Sequence, residues 1–215
     1  MTMHLTVLDH PLVDHKLTLL RDKNTPSSEF RELVKELVTL EAYEATRNLS
    51  TTEKTVATPV GVAHGKKLNE SPRPMVVPIL RAGLGMLDGM MALLPMAEVG
   101  FLGLKRNEAT LDIITYAQRL PEDLTGRECF LLDPMLATGG SLATAVHYLH
   151  DRGASKITAI DILAAKPGLE RLEKEVRPEI DFSVVVCGVD DELNEHGYII
   201  PGLGDAGDRL YGVVD

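Results

Sequence analysis

The stretch Cys129-Phe130-Leu131-Leu132-Asp133-Pro134-Met135-Leu136-Ala137-Thr138-Gly139-Gly140-Ser141 decides how this chain is read. It opens as a short, fully apolar strand, Cys129 to Leu132, that delivers Asp133 to the edge of a sheet. It closes on Thr138-Gly139-Gly140-Ser141, which opens a helix running to about Arg152. In open parallel sheets, ligands bind at the carboxyl ends of the strands. Two glycines let the backbone come close to a ligand, and a helix N-terminus presents N–H groups without helical partners. Thr138 and Ser141 add hydroxyls. The run is therefore a cradle for a phosphate monoester, and Asp133 stands where it can accept hydrogen bonds from sugar hydroxyls. Acid for hydroxyls followed by a cradle for phosphate spells a ribose 5-phosphate. The run is not a Walker A loop, because no Lys precedes Ser141, and it is not G-x-G-x-x-G. Taken locally, the same residues read equally as a glycine turn with Thr138 or Ser141 as a helix cap.

Outward from this loop, strands and helices alternate. Met75 to Leu80 is a buried-strand run, followed by Arg81-Ala82-Gly83 and an apolar helix to about Leu94. Val99 to Leu104 reads as a strand, and Thr110 to Leu120 as one arm of a hairpin ending at Pro121. Beyond the loop come a strand over Ile157–Ala164, a helix over Gly168–Val176 and a strand over Phe182–Val189. This order predicts an α/β fold: a mostly parallel central sheet, flanked by helices, with right-handed crossovers. The N-terminal part, to about residue 58, reads helical. Leu12 to Arg21 is a short helix. Phe30, Leu33, Val34, Leu37 and Leu40 recur at helical spacing in a second, which runs to about Thr46. Thr25-Pro26 reads as its N-cap followed by Pro at N1. Asn48 to Thr58 is polar, and Pro59 to Pro74 is loop or edge-strand material. Pro201 to Gly207 reads, at its plainest, as a turn before a final strand.

Composition narrows the chemistry. The chain has 215 residues, enough for one large domain, and its formal charge of −10 argues against duplex nucleic acid and anionic membranes as partners. With no Trp and 4% aromatic residues, a stacking platform for nucleic-acid strands is poorly supported. There is no apolar run long enough to span a bilayer, and Met1 to Val13 shows no secretory signal. Cys129 and Cys187 lie in strand-like apolar runs and read as buried reduced thiols, which fits a cytoplasmic home. Met86, Met90 and Met91 fall at helical spacing and read as core filler. His147 and His150 stand three apart on one helix but lack a third metal ligand.

The phosphate loop resembles the 5-phosphoribosyl-1-diphosphate (PRPP) motif of type I phosphoribosyltransferases. Three further segments narrow the resemblance to the uracil phosphoribosyltransferase family. They are Val77-Pro78-Ile79-Leu80-Arg81-Ala82-Gly83-Leu84-Gly85-Met86, then Lys105-Arg106-Asn107-Glu108, and the long run from Asn194-Glu195-His196-Gly197-Tyr198 through Ile199-Ile200-Pro201-Gly202-Leu203-Gly204-Asp205-Ala206-Gly207-Asp208. The resemblance extends from His10 to the last residues.

It implies one phosphoribosyltransferase domain over 1–215, with a hairpin arm at about 106–125 and a small base-binding hood at about 190–210. The implied reaction joins uracil to PRPP, giving UMP and diphosphate. PRPP would be held by Arg81, Arg106, Asp205 and the run Asp133, Pro134, Met135, Leu136, Ala137, Thr138, Gly139, Gly140 and Ser141. Uracil would be held by Ile199, Gly204, Asp205 and Ala206, whose backbone groups answer its edge. Arg106 and Asp205 are the implied catalytic residues, with Lys105 the weaker partner of Arg106. A non-proline cis peptide is implied near Arg81. Mg²⁺ would ride on the diphosphate and ribose oxygens, since Asp133 is followed by Pro134 rather than a second acid, and no residue is singled out as a metal ligand. Asp190-Asp191-Glu192 reads as a solvated acidic edge, and His196 as a brace for the turn. Relatives form dimers or larger homo-oligomers, for which the helical N-terminal part is an interface candidate, and bacterial relatives are often activated by GTP. Two competing readings are a regulatory RNA-binding protein on the same fold and a transferase for hypoxanthine, adenine or orotate.

Overall fold

The structure, a computed structural model, describes residues 3–69, 71–106 and 113–212, with Lys105, Arg106 and Ile113 described by their backbone alone. Strand β1 (His4–Val7) leads into α1 (Pro11–Arg21). Pro11 starts that helix, where an N–H has no helical partner to lose, and the His10 ring accepts from the Leu12 N–H at 3.1 Å. Helix α2 (Ser27–Ala45) follows, and Phe30, Leu33, Val34, Leu37 and Val38 form its buried stripe. The predicted Thr25 cap is corrected here. Pro26 takes the cap position without a side-chain bond, and the Thr25 hydroxyl donates instead to the Leu19 carbonyl at 2.6 Å. Residues 51–68, read from sequence as a polar stretch followed by loop or edge-strand material, pair as an antiparallel hairpin of β2 (Thr51–Thr58) and β3 (Gly61–Leu68). The N-terminal part is thus not helical throughout. Every residue of β2, and of β3 up to Lys67, is exposed, so no buried face announced it.

The remaining elements are β4 (Met75–Leu80), a 3₁₀ turn (Ala82–Met86), α3 (Leu87–Leu93), β5 (Glu98–Val99), β6 (Phe101–Arg106), β7 (Ile113–Arg119), β8 (Glu128–Leu132), β9 (Met135–Leu136), α4 (Gly140–His150), β10 (Lys156–Ala165), α5 (Lys166–Glu175), β11 (Phe182–Asp190), β12 (Glu192–Leu193), β13 (Ile199–Ile200) and α6 (Ala206–Tyr211). The main sheet runs β1-β11-β10-β8-β4-β6-β7, parallel up to β6, with β7 antiparallel at the edge. From β4 the chain moves outward to β6 and β7, then returns to the other side of β4 with β8. The strand order therefore reverses between β4 and β8, the switch point where α/β sheets open a ligand crevice. Arg81 and Asp133 follow those two strands. Residues 206–211 are a helix, which corrects the plain reading of a final strand.

Apolar cores cover both faces of the sheet. Phe130, Leu132, Ile160 and Ile162 pack with α1, α2 and α6, while Cys129, Leu131, Ile157 and Ala159 pack with α4 and α5. Cys129 and Cys187 belong to different cores, are both buried, and are unbridged. Burial pushes the Cys129 thiol up to about 12. No helix among the described residues is long and apolar enough to cross a membrane.

Candidate active site

The cradle has a pinned half and an open half. Asp133 N–H donates to the Ile160 carbonyl at 3.2 Å, Leu163 N–H to Pro134 at 3.1 Å, and β9 pairs with β10, so Pro134, Met135 and Leu136 are tied to the sheet. Ala137 N–H is used within the loop, donating to Met135 at 3.0 Å. The open half begins after Thr138, whose carbonyl accepts from Arg171 at 3.5 Å. Gly139 caps α4 at φ +77°, a left-handed conformation suited to glycine. The first bond of the helix, Ala143 N–H to Gly139 carbonyl, is 2.9 Å long, so by helix geometry the N–H groups of Gly140, Ser141 and Leu142 precede it and point out of the N-terminus. A side chain on Gly139 would strike the Gly168 carbonyl at 2.7 Å, and one on Gly168 would strike Ala137 at 2.3 Å. The first turn of α5 therefore presses on the back of the cradle. It also brings Arg171, whose guanidinium lies about 3 Å from where a Gly140 Cβ would be. The sequence reading passed over this cation, because it looked like one more charge on a polar helix face.

Asp133 is half-buried at the strand end. Burial raises its carboxyl to about 7, against a lowering bond from the Met135 N–H. Beneath it lie two more acids, Asp161 on β10 and Glu41 on α2, both fully buried. None of their oxygens completes a hydrogen bond. Burial holds both well above the usual carboxylate range. For Asp161 the neighbouring Asp133 and Glu41 add to the rise, and for Glu41 contact with Cys187 opposes it.

The second loop, after β4, carries Arg81 exposed at the crevice and a cis peptide between Leu80 and Arg81. Gly83 explains how this loop reaches the first: a Cβ there would fall 2.1 Å from the Leu132 carbonyl. Two phenols reach consecutive carbonyls of this loop. Tyr211 of α6 donates to the Arg81 carbonyl at 3.0 Å, and Tyr116 of β7 lies 3.4 Å from the Leu80 carbonyl.

The third element is the hood. Asp190, at the end of β11, accepts two bonds of 2.7 Å from Arg21 and one of 2.9 Å from the Gly202 N–H. Arg21 also donates to the Gly202 carbonyl at 2.8 Å. Burial works to raise the Asp190 carboxyl, but Arg21 and Gly202 together hold it below its ordinary value. Asp190 is thus a buried anchor, not part of a solvated edge. Its neighbours Asp191 and Glu192 are solvated as read, Asp191 in an exposed pair with Lys166. Arg209 lies over the Phe30 ring and donates to the carbonyls of Leu20, Asp22 and Leu203. The turn is braced by Asn194, whose Oδ1 accepts from the His196 and Tyr198 N–H groups at 3.0 and 2.9 Å. The His196 ring is exposed near Glu195 and braces nothing. Asn194, Arg21 and Arg209 were missed because their partners are backbone atoms or lie far away in sequence.

Among the base residues, Ile199 and Ala206 are buried and Gly204 is exposed at φ +84°. Asp205 is exposed and caps α6, its Oδ1 accepting from the Asp208 N–H at 2.9 Å. A Cβ on Gly197 would lie 3.5 Å from the Thr138 methyl group, so the hood abuts the cradle. The side chains of Lys105 and Arg106 lie outside the described residues. Among the described residues no group of three or more His, Cys, Asp or Glu is placed to hold a metal, His147 and His150 included.

Two strand-end loops meet at a sheet switch point with a hood folded against one of them, and this is the fold of the type I phosphoribosyltransferases. A solved hypoxanthine phosphoribosyltransferase from Staphylococcus aureus shares the fold alone, at TM-score 0.51 and 10% identity over 76% of each chain. A family model described as uracil phosphoribosyltransferase matches residues 7–213, and the chain belongs to that family. It is 66% identical over 214 residues to a uracil phosphoribosyltransferase from Bifidobacterium longum, covering 99% of this chain and 100% of that one. A relative of the same name from Kocuria rhizophila is 62% identical over 213 residues, 99% of this chain and 100% of that one. The solved AQ2163 protein from Aquifex aeolicus superposes at TM-score 0.88 with 44% identity, covering 97% of this chain and 98% of that one.

Proposed function

We infer that the enzyme transfers the 5-phosphoribosyl group of PRPP to uracil, giving UMP and diphosphate, in the crevice where the three elements meet. The observation that carries the site is the contact of the cradle with both of the others, through Gly83 against Leu132 and Gly197 against Thr138. The cradle from Thr138 to Ser141 holds the 5-phosphate on N–H groups and hydroxyls, and Asp133 accepts from the ribose hydroxyls. Arg81 and the N–H groups of its loop hold the diphosphate. Arg106 adds its charge from the end of β6. Uracil lies under the hood, with its N3–H on the Gly204 carbonyl and its oxygens on the Ile199 and Ala206 N–H groups. Cytosine reverses two of these three signs, and each buried mispairing costs about 1–3 kcal/mol.

The bond from the anomeric carbon to the diphosphate oxygen loosens first, and the departing diphosphate takes the electron pair. Uracil N1 then forms the new bond and gives up its proton. No side-chain nucleophile is needed, so orientation and charge stabilisation dominate. Asp205, within the base turn and fixed by its capping bond, is the candidate acceptor of that proton. A Mg²⁺ ion would be carried mainly by PRPP oxygens and water, and Asp205 is the carboxylate of this chain that would contact it. When bound, that ion neutralises the leaving diphosphate.

The reading includes a homo-oligomer in the cytoplasm activated by GTP. The exposed β2–β3 hairpin gives the oligomer a second interface candidate beside the N-terminal helices. The test is diphosphate release from PRPP and Mg²⁺ with uracil, cytosine, hypoxanthine, adenine and orotate in turn. Release with uracil alone is expected, and release only with another base would overturn the base assignment.

A further inference from the structure

Helix α6 joins two parts of the site. At its start stand Asp205 and Ala206 of the base turn, and at its end Tyr211 donates to the Arg81 carbonyl at 3.0 Å. The Gly85 N–H approaches the same phenol oxygen. Between these ends the helix and the 3₁₀ turn interlock. A Cβ on Gly85 would fall 2.9 Å from both Leu210 methyl groups, and one on Gly207 would lie 3.9 Å from the Ala82 Cβ. Six residues of helix span only about 9 Å. A shift of the base turn is therefore carried by a short rigid rod to the peptide that bears Arg81. Tyr116 approaches the neighbouring carbonyl from β7, so the diphosphate loop is gripped from the base side and from the arm side.

We propose that Tyr211 is a positioning residue that couples the uracil and diphosphate sites, its hydroxyl setting the Arg81 peptide in register with the base turn. The coupling rests on the assignment of uracil to the hood. Tyr211 acts through the two loops it joins. What it transmits is the relative placement of two loops, and by linkage either ligand then tightens the other by one and the same factor. Burial raises the phenol above its ordinary value, so it remains a donor at neutral pH.

The test uses uracil and Mg-diphosphate, a pair that occupies both sites without reacting. Uracil affinity is measured by calorimetry with and without saturating diphosphate, in the unsubstituted protein and in Tyr211→Phe, which keeps the ring and loses only the hydroxyl. In the unsubstituted protein diphosphate should tighten uracil by about fivefold or more, the usual lower range for coupled sites. In Tyr211→Phe that factor should fall toward one, with the affinity for uracil alone and the Tm unchanged. An undiminished factor in Tyr211→Phe, or no coupling in the unsubstituted protein, overturns the proposal. Diphosphate release with uracil is assayed first. Its failure overturns the base assignment beneath the proposal, and is thereby distinguished from a failure of the coupling alone.

Discussion

The guanidinium of Arg21 closes on the Asp190 carboxylate with two bonds of 2.7 Å, tying the end of α1 to the root of the hood. Asp190 in turn holds the Gly202 N–H, three residues before Asp205. Asp190→Ala should raise KM for uracil about tenfold, the equivalent of one hydrogen bond to a charged group. KM for PRPP should change little, since the cradle has its own supports. The unpaired Arg21 should cost about 3 kcal/mol of stability, the low end for breaking a buried pair because Arg21 is itself partly exposed. Steady-state kinetics and urea unfolding check both. The sign with pH follows from the depressed carboxyl. Its contribution is present above the unfolded pKa, near 4, and is lost as pH falls through the lower folded value.

The two glycines of the cradle should respond differently. Gly139 is at φ +77° and faces the Gly168 backbone, so Gly139→Ala forces α5 away from the loop. The left-handed conformation alone costs an alanine about 1–2 kcal/mol. Calorimetry should show PRPP affinity lost. Gly140 faces only the end of the Arg171 side chain, which can swing aside. Gly140→Ala should bind PRPP within about threefold, a loss below that of one hydrogen bond. Equal losses at the two positions would contradict this division.

Asp133 binds ribose hydroxyls best as a carboxylate, and burial raises it to about 7 in the free enzyme. Its raised value leaves it protonated below that pH. The kcat/KM for PRPP should therefore fall as pH drops below about 7. Asp133→Asn should be slower throughout and lack that acid limb, which a pH–rate profile reads directly.

The buried acids Glu41 and Asp161 should make the protein less stable as pH rises. Both carboxyls are raised in the folded state. Below about pH 4 folded and unfolded chains are both protonated and no difference arises. As pH rises, the unfolded chain ionises first and gains about 1.4 kcal/mol per unit for each group, until the folded pKa is passed. Asp161→Asn removes one such titration. Its Tm should exceed that of the unsubstituted protein at pH 8, and the gap should close toward pH 4.

Arg106→Ala should lower kcat by about 10²–10³, as for loss of one donor to developing charge. Preference among the five bases should be unchanged, because the hood is untouched. An unchanged kcat would remove Arg106 from the mechanism.

The sequence by itself determined the alternation of strands and helices, because burial on one or two faces writes a period into the residues. It also placed a left-handed glycine at a helix N-terminus, which is local chemistry, but read within Asp133 to Ser141 alone that loop was equally a cradle or a capped turn. It left the β2–β3 hairpin undecided between loop and edge strand, since an exposed hairpin has no buried face to set a pattern. Tertiary structure alone decided the rest. Asp190 became an anchor only because Arg21, 169 residues away, arrives beside it. Asn194 rather than His196 braces the turn because its carbonyl oxygen reaches two N–H groups at once. Tyr211 meets Arg81 across 130 residues. A strand, a helix or a glycine loop is set by neighbours along the chain. A charge or phenol takes its role from whichever partner the packed core brings within 3 Å, and no local spacing encodes that meeting.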